Sequence, residues 1–156
     1  MEPTAAPWVD AGPFRAHLRH LMEVGGLSAT EVAVLAAVPP RMATSLAEGR
    51  GGRPLRRIRP EYARALLLVG ATHVRSLRER QVPAAESRLR LRRLLARAGC
   101  PSALAQQLGV PSWSLEELAE ETAAWCSALL ALRLLTACRT VPGAEEGRVE
   151  RLQAAA

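Results

Sequence analysis

The feature that most constrains the fold of this chain is an internal repeat at about half its length. Residues 18–26 match residues 91–99 in apolar spacing and in their final glycine, at an offset of 73. Residues 32–39 match residues 104–111, at an offset of 72, and both segments end in Val-Pro. Because the chain has only 156 residues, such a repeat predicts two similar small units rather than one large core.

The apolar spacing between the two ends of the chain is that of helices, and no segment alternates like a strand. The sequence therefore predicts an all-α fold made of tandem helix-turn-helix-like bundles and a C-terminal apolar helix. Ser28 and Glu31 have the spacing of a capping box, and Pro40 suits the first turn of a helix. The helices predicted in the first half cover residues 13–24, 28–37, 40–49 and 60–69.

The same pattern divides the chain into two units and two tails. The first unit is predicted over residues 13–81 and the second over residues 86–139. Residues 1–12 and 141–156 have little to bury, so they are predicted to be disordered. Residues Leu115–Thr136 carry apolar residues at intervals of three and four, as a helix–helix seam requires. This helix is expected either in the core or as the contact of a homodimer.

Charge is segregated along the chain, and all 21 basic residues are arginine. Residues 41–97 carry a net charge of +11, whereas residues 98–132 carry −4. Arginine enrichment is typical of a GC-rich bacterial genome, but a block this basic also indicates a polyanion as partner. Aromatic residues make up only 3% of the chain, which argues against a protein that stacks single-stranded bases.

The sequence carries no pattern that indicates catalysis, a cofactor or a metal. A phosphate-binding loop needs a lysine, which the chain lacks, and no serine has the surroundings of a nucleophile elbow. His17 and His20 lie one helical turn apart, but no cysteine or carboxylate cluster completes a metal site. The three cysteines are far apart and odd in number, so we interpret them as buried free thiols.

Two further patterns bear on where the protein is found. No apolar run is long enough to span a membrane, and the N-terminus lacks the features of a signal peptide. We therefore expect a cytoplasmic protein that has no membrane partner.

A helix-turn-helix unit needs a small residue in its first helix, a tight turn and apolar residues that lock the second helix. Ala33, the turn at Ala37 and the apolar Val38, Ala43 and Leu46 follow this order. Together with residues 49–67 (Gly-Arg-Gly-Gly-Arg-Pro-Leu-Arg-Arg-Ile-Arg-Pro-Glu-Tyr-Ala-Arg-Ala-Leu-Leu), they resemble the phage-repressor-like helix-turn-helix family of GC-rich bacterial and phage regulators. The resemblance covers residues 14–69 and, more loosely, residues 89–121.

The resemblance implies a transcriptional regulator that binds double-stranded DNA and is associated with the nucleoid. Helix 40–49 would enter the major groove and the Arg-rich loop 50–59 would hold phosphates. The DNA-binding residues implied in this way are Arg41, Thr44 and Ser45 on the helix and Arg50, Arg53, Arg56, Arg57 and Arg59 in the loop. The second unit has four carboxylates on the corresponding helix, so we expect it not to contact DNA. The alternative function is a protein–protein interaction adaptor that reuses the same fold.

Overall fold

The structure, a computed structural model, describes residues 7–140, and this part of the chain is mostly helical, as predicted. The chain divides into two compact units, Met1–Leu77 and Arg78–Ala156. The elements of unit 1 are β1 (Val9–Asp10), α1 (Gly12–Gly25), α2 (Ala29–Ala36), α3 (Pro40–Glu48), β2 (Arg57–Ile58), α4 (Pro60–Leu67) and α5 (Ala71–Ser76). Those of unit 2 are β3 (Gln81–Pro83), α6 (Ala84–Ala98), α7 (Pro101–Leu108), α8 (Ser112–Ala119), β4 (Trp125–Ser127) and α9 (Ala128–Thr140).

The helices of unit 1 begin and end close to the predicted positions because local signals set their limits. The capping box is present: the Ser28 amide donates to Glu31 Oε2 (2.7 Å) and the Glu31 amide donates to Ser28 Oγ (3.2 Å). Pro40 opens α3, and the preceding Pro39 offers no side-chain cap. Helix α5 was not predicted.

Two short antiparallel ribbons, which we did not predict, complete the units. Val9 lies opposite Ile58 in the β1–β2 ribbon, and Val82 lies opposite Cys126 in the β3–β4 ribbon. Strands of two or three residues are too short for alternation to be visible in the sequence. Residues 7–12 therefore begin unit 1, although we predicted them as part of a disordered tail. The remaining tail predictions, for residues 1–6 and 141–156, lie outside the described residues.

The prediction of one continuous helix over Leu115–Thr136 is wrong. Helix α8 ends at Ala119, and α9 begins only at Ala128, after strand β4. The intervening backbone pairs instead: the Ala84 amide donates to the Ala124 carbonyl (3.0 Å), next to the β3–β4 pairs. Leu115 and Leu118 are buried in the core of unit 2, whereas Trp125 is exposed. A homodimer seam along such a helix therefore has no structural basis.

Both units contain a strand, three helices, a strand and a helix in this order, and unit 1 ends with the additional helix α5. Matching positions have matching burial, as the fully buried leucines of the two cores illustrate. These pairs are Leu18 and Leu91, Leu46 and Leu118, and Leu66 and Leu134. The offset is 73 for the first pair, 72 for the second and 68 for the third, because the loop after α8 is shorter than the loop after α3. The sequence repeat is therefore accompanied by matching burial at these three pairs of leucines.

The three cysteines differ in their exposure to solvent. Cys126 is buried and Cys138 is half-buried, but Cys100 is exposed at the start of α7, so the expectation of three buried thiols is wrong for Cys100. A hydrogen bond with the Ser102 hydroxyl lowers the pKa of the Cys100 thiol.

Within residues 7–140, none of the helices has the length and apolar character needed to cross a membrane.

The turn between α2 and α3 contains the only non-glycine residue of the described chain with a positive φ. Ala37 has φ 54°, and the matching Gly109 in unit 2 has φ 63°. Both turns are closed in the same way: the Val38 amide donates to the Ala33 carbonyl and the Val110 amide donates to the Ala105 carbonyl, each at 3.0 Å. A left-handed backbone is unfavourable for alanine because its Cβ crowds the carbonyl oxygen.

We expect Ala37→Gly to raise the free energy of unfolding by about 0.5–1 kcal/mol, since glycine removes this strain at a modest entropic cost. Ala37 is exposed, so its methyl group contributes little packing. Urea unfolding followed by circular dichroism would measure the change. The reverse substitution in unit 2, Gly109→Ala, is the matched control and should lower stability by a similar amount. A less stable Ala37→Gly variant would contradict this reading of the turn.

Candidate nucleic-acid interface

Helix α3 presents one free cationic side chain. Ala43, Leu46 and Ala47 are buried, while Arg41 is exposed. The Arg41 side chain makes no hydrogen bond or ion pair with any residue between 7 and 140. Of the three helix residues implied by the resemblance, Arg41 alone is therefore both exposed and fully available to a ligand.

Thr44 and Ser45 are half-buried and partly engaged within the protein. The Thr44 hydroxyl donates to the Pro40 carbonyl of its own helix (3.1 Å), which is a common hydrogen bond of threonine in helices. Ser45 Oγ accepts a hydrogen bond from Arg50 Nε (3.2 Å). Ser45 thus connects α3 to the loop that follows it.

The Arg-rich segment after α3 begins with a tight hairpin turn. Arg50 and Arg53 form an antiparallel bridge, with the Arg50 amide donating to the Arg53 carbonyl (2.9 Å) and the Arg53 amide donating back (3.1 Å). The two central residues, Gly51 and Gly52, have φ of 55° and 73°, as a type I′ turn requires. The hairpin therefore holds Arg50 and Arg53 opposite each other.

Gly49 sets the direction of this hairpin. Its backbone has φ 89° and ψ −174°, a region essentially restricted to glycine. A Cβ at this position would lie 2.4 Å from the Arg53 carbonyl oxygen, so the close approach of the two backbones also needs glycine. The path from α3 into the hairpin is consequently fixed by the sequence.

Two arginines of α1, which the sequence analysis did not assign, hold the end of α3 and the hairpin in place. Arg15 donates from Nε to the Leu46 carbonyl (3.0 Å) and from Nη2 to the Leu55 carbonyl. Arg19 Nη2 donates to the Ala47 carbonyl (2.7 Å). These cations satisfy carbonyls at the C-terminus of a helix, where the helix dipole also favours positive charge.

Arg57 is the exposed residue of strand β2, and its strand neighbour Ile58 is buried. Arg59 directly follows β2, and the exposed Trp8 directly precedes β1. Arg59 lies over the Trp8 ring, 5.9 Å from its centre, and pairs with Glu61 at 3.4 Å. Trp8 was not among the predicted site residues, because residues 1–12 were predicted to be a disordered tail.

The predicted site residues therefore fall into three groups. Ser45, Arg50 and Arg53 are joined by direct contacts. Arg57 lies in the β1–β2 ribbon, Arg59 and Trp8 contact each other at its end, and Arg56 is exposed immediately before β2. Within the described chain, no side-chain hydrogen bond or ion pair joins Arg41 to either of these groups. In segment 41–59, six arginines are accompanied by a single acid, Glu48.

Unit 2 has different chemistry at the matching positions. Trp113, Glu116 and Glu117 of α8 correspond to Arg41, Thr44 and Ser45, and all three are exposed. Residues 120–124, which follow α8, contain no arginine, and Glu121 pairs with Arg92 of α6. At these positions α8 thus carries an aromatic and two acidic side chains, whereas α3 carries a basic and two hydroxyl side chains.

No group of three or more histidine, cysteine, aspartate or glutamate side chains is placed to hold a metal ion in residues 7–140. Comparisons of the chain with protein-family models, with curated proteins and with solved structures found no match.

Proposed function

We propose that unit 1 binds double-stranded DNA, with α3 in the major groove and the hairpin loop on the phosphate backbone. The observation that carries this proposal is the set of exposed arginines that the Gly49–Arg53 hairpin fixes beside α3. A planar guanidinium donates two parallel hydrogen bonds, which suits both phosphate oxygens and the O6 and N7 atoms of guanine.

The fixed geometry of the hairpin supports the same proposal. Binding orders flexible side chains and loops, and this ordering weakens affinity. Here the backbone of the loop is already held by the Arg50–Arg53 bridge and by Arg15. The loop therefore has less conformational entropy to lose when its arginines meet phosphates.

Within this proposal, Arg41 reads sequence and the loop arginines supply affinity. Arg41 is the available cation on the exposed side of α3, where a side chain reaches base edges. Arg53, Arg56 and Arg57 have no ion pair in the described part of the chain, so each is available to a phosphate. A protein of this kind acts on cellular DNA as a transcriptional regulator and is found with the nucleoid in the cytoplasm.

We expect Arg41→Ala to reduce the preference for one DNA sequence over another by roughly 5- to 150-fold, the range of one bidentate guanine contact. Arg56→Ala should weaken binding to all sequences alike, because a phosphate contact carries no sequence information. Fluorescence anisotropy with a selected duplex and a random-sequence duplex would measure both effects.

The matched control for Arg41→Ala is Trp113→Ala, which changes the corresponding position of unit 2 and should leave both affinities unchanged. Equal, non-specific losses in the Arg41→Ala and Arg56→Ala variants would show that α3 does not read bases. If the wild-type protein does not bind duplex DNA even at low salt, the proposed function itself is wrong.

The exposed side of α8 favours a second function, for unit 2 alone. Carboxylates are repelled by phosphates, so Glu116 and Glu117 disfavour contact between this helix and DNA. An exposed tryptophan such as Trp113 is a common anchor of protein–protein contacts. Unit 2 therefore fits a role as an interaction module that accompanies a DNA-binding unit.

A further inference from the structure

An open crevice of about 690 Å³ lies in unit 1 between the start of β1 and the segment that leads into β2. Its volume falls within the range that small-molecule ligands occupy in proteins. The side chains that matter to its chemistry are Trp8, Asp10, Arg15, Arg56 and Arg57. One acid is therefore accompanied by three cations, and the crevice is suited to an anionic ligand.

Two of these charged groups are already engaged. Asp10 Oδ1 accepts a hydrogen bond from the Gly12 amide (3.2 Å), and Arg15 is bonded to the Leu46 and Leu55 carbonyls. Arg56 and Arg57 are exposed and have no ion pair within residues 7–140. They are the groups in the crevice that remain available to bind a phosphate.

Trp8 provides an exposed aromatic ring beside these arginines. Its side chain is 56% exposed although the neighbouring ribbon residue Ile58 is buried, so the ring is displayed and not packed. Arg59 already lies over the ring at 5.9 Å, in the geometry of a cation–π contact. Aromatic rings displayed beside arginines bind unpaired bases by stacking, whatever the base.

We propose that this crevice binds one unpaired nucleotide, with its base stacked on Trp8 and its phosphate held by Arg56 and Arg57. The inference rests on the proposed DNA-binding function, because the same arginines belong to the loop that holds the duplex. It adds a preference for DNA that carries an unpaired nucleotide, such as a strand end. A free mononucleotide has the same chemistry and is the other source of this ligand.

The second ribbon lacks this combination and provides the control. Trp125 lies on the β3–β4 ribbon and is 60% exposed, much like Trp8. The residues that pair across that ribbon include no arginine. Arg80 adjoins this ribbon through the Ala128 amide (2.8 Å), as Arg56 adjoins the first ribbon, but Gln81 is in the place of Arg57, so Trp125 lacks a pair of cations.

The test compares a blunt duplex with the same duplex extended by a few unpaired thymidines, by fluorescence anisotropy. The wild-type chain should bind the extended duplex roughly 5- to 100-fold more tightly, as expected for one stacked base. Trp8→Ala should remove this advantage and Trp8→Phe should keep most of it. Trp125→Ala, the matched control, should leave the advantage intact.

A second measurement separates the two sources of the ligand. In a Trp113→Phe/Trp125→Phe variant, the only remaining tryptophan is Trp8, and its fluorescence is titrated with deoxyadenosine monophosphate. Quenching without an advantage for the extended duplex would assign the crevice to a free nucleotide. Equal binding of both duplexes together with no quenching would overturn the inference, while leaving duplex binding as proposed. Failure to bind either duplex would instead refute the proposed function.

Discussion

Raising the monovalent salt concentration from about 50 to about 200 mM should weaken the binding of random-sequence duplex DNA on the order of 10²- to 10³-fold. Each phosphate neutralised by an arginine releases condensed counterions, and log affinity then falls with log salt by about 0.9 per phosphate. This is the largest effect that we expect from the proposed function.

The structure sets the number of arginines that contribute. Segment 41–59 contains six, and Arg59 is partly occupied by Glu61 and Trp8. Arg41 is assigned to a base and is therefore not counted as a phosphate contact. Arg50 is counted, because it retains free N–H groups beyond its contact with Ser45. With about four or five phosphates contacted, the slope of log affinity against log salt should be roughly −3.6 to −4.5.

Single substitutions test which arginines contribute to this slope. Arg56→Gln should make it shallower by about one, because one phosphate contact is lost. Arg75→Gln is a suitable control, since Arg75 is an exposed arginine of α5, outside the loop, and should leave the slope unchanged. A slope near zero in a protein with unaltered circular dichroism would contradict phosphate binding by this segment.

The sequence predicted the helices of unit 1 well because their limits are set locally. The capping box at Ser28, the proline at position 40 and the glycines that end α1 act on neighbouring backbone alone. The repeat was visible for the same reason, since equivalent helices carry equivalent apolar positions. These signals need no knowledge of the rest of the fold.

What the sequence did not predict depends on contacts between distant residues. The β1–β2 ribbon joins Val9 to Ile58, and its two strands are too short to show a pattern. The Leu115–Thr136 segment has helical spacing throughout, yet Trp125–Ser127 pair with β3 and interrupt the helix. Trp8 and Arg15 gain their roles only through such long-range contacts, so they were absent from the predicted site.

Arg15 and Arg88 make similar contacts in the two units. Arg15 donates to the Leu46 and Leu55 carbonyls, and Arg88 donates to the Leu118 and Ala123 carbonyls. Leu46 lies in the last turn of α3, and the amide four residues later, at Arg50, is bonded to Arg53 instead. The Leu46 carbonyl therefore has no helical partner and relies on Arg15.

We expect Arg15→Met to lower the free energy of unfolding by roughly 2–4 kcal/mol, since two charge-assisted hydrogen bonds are lost and methionine keeps only the apolar contacts. Arg88→Met should have an effect of similar size in unit 2. Arg64→Met, at an exposed position of α4, is the control and should change stability by less than about 0.5 kcal/mol. Urea unfolding followed by circular dichroism would measure all three variants.

The two variants should differ in DNA binding, although they remove equivalent contacts. Arg15 donates to the Leu55 carbonyl, which follows the hairpin, so Arg15→Met releases this loop from its contact with α1. DNA affinity should then fall even at temperatures at which the variant is folded, and amide exchange over residues 50–56 should become faster. Arg88→Met releases a loop that carries no arginine, so this variant should bind duplex DNA like the wild type. If both variants lose DNA affinity equally while they remain folded, Arg15 acts through general stability and not by positioning the hairpin.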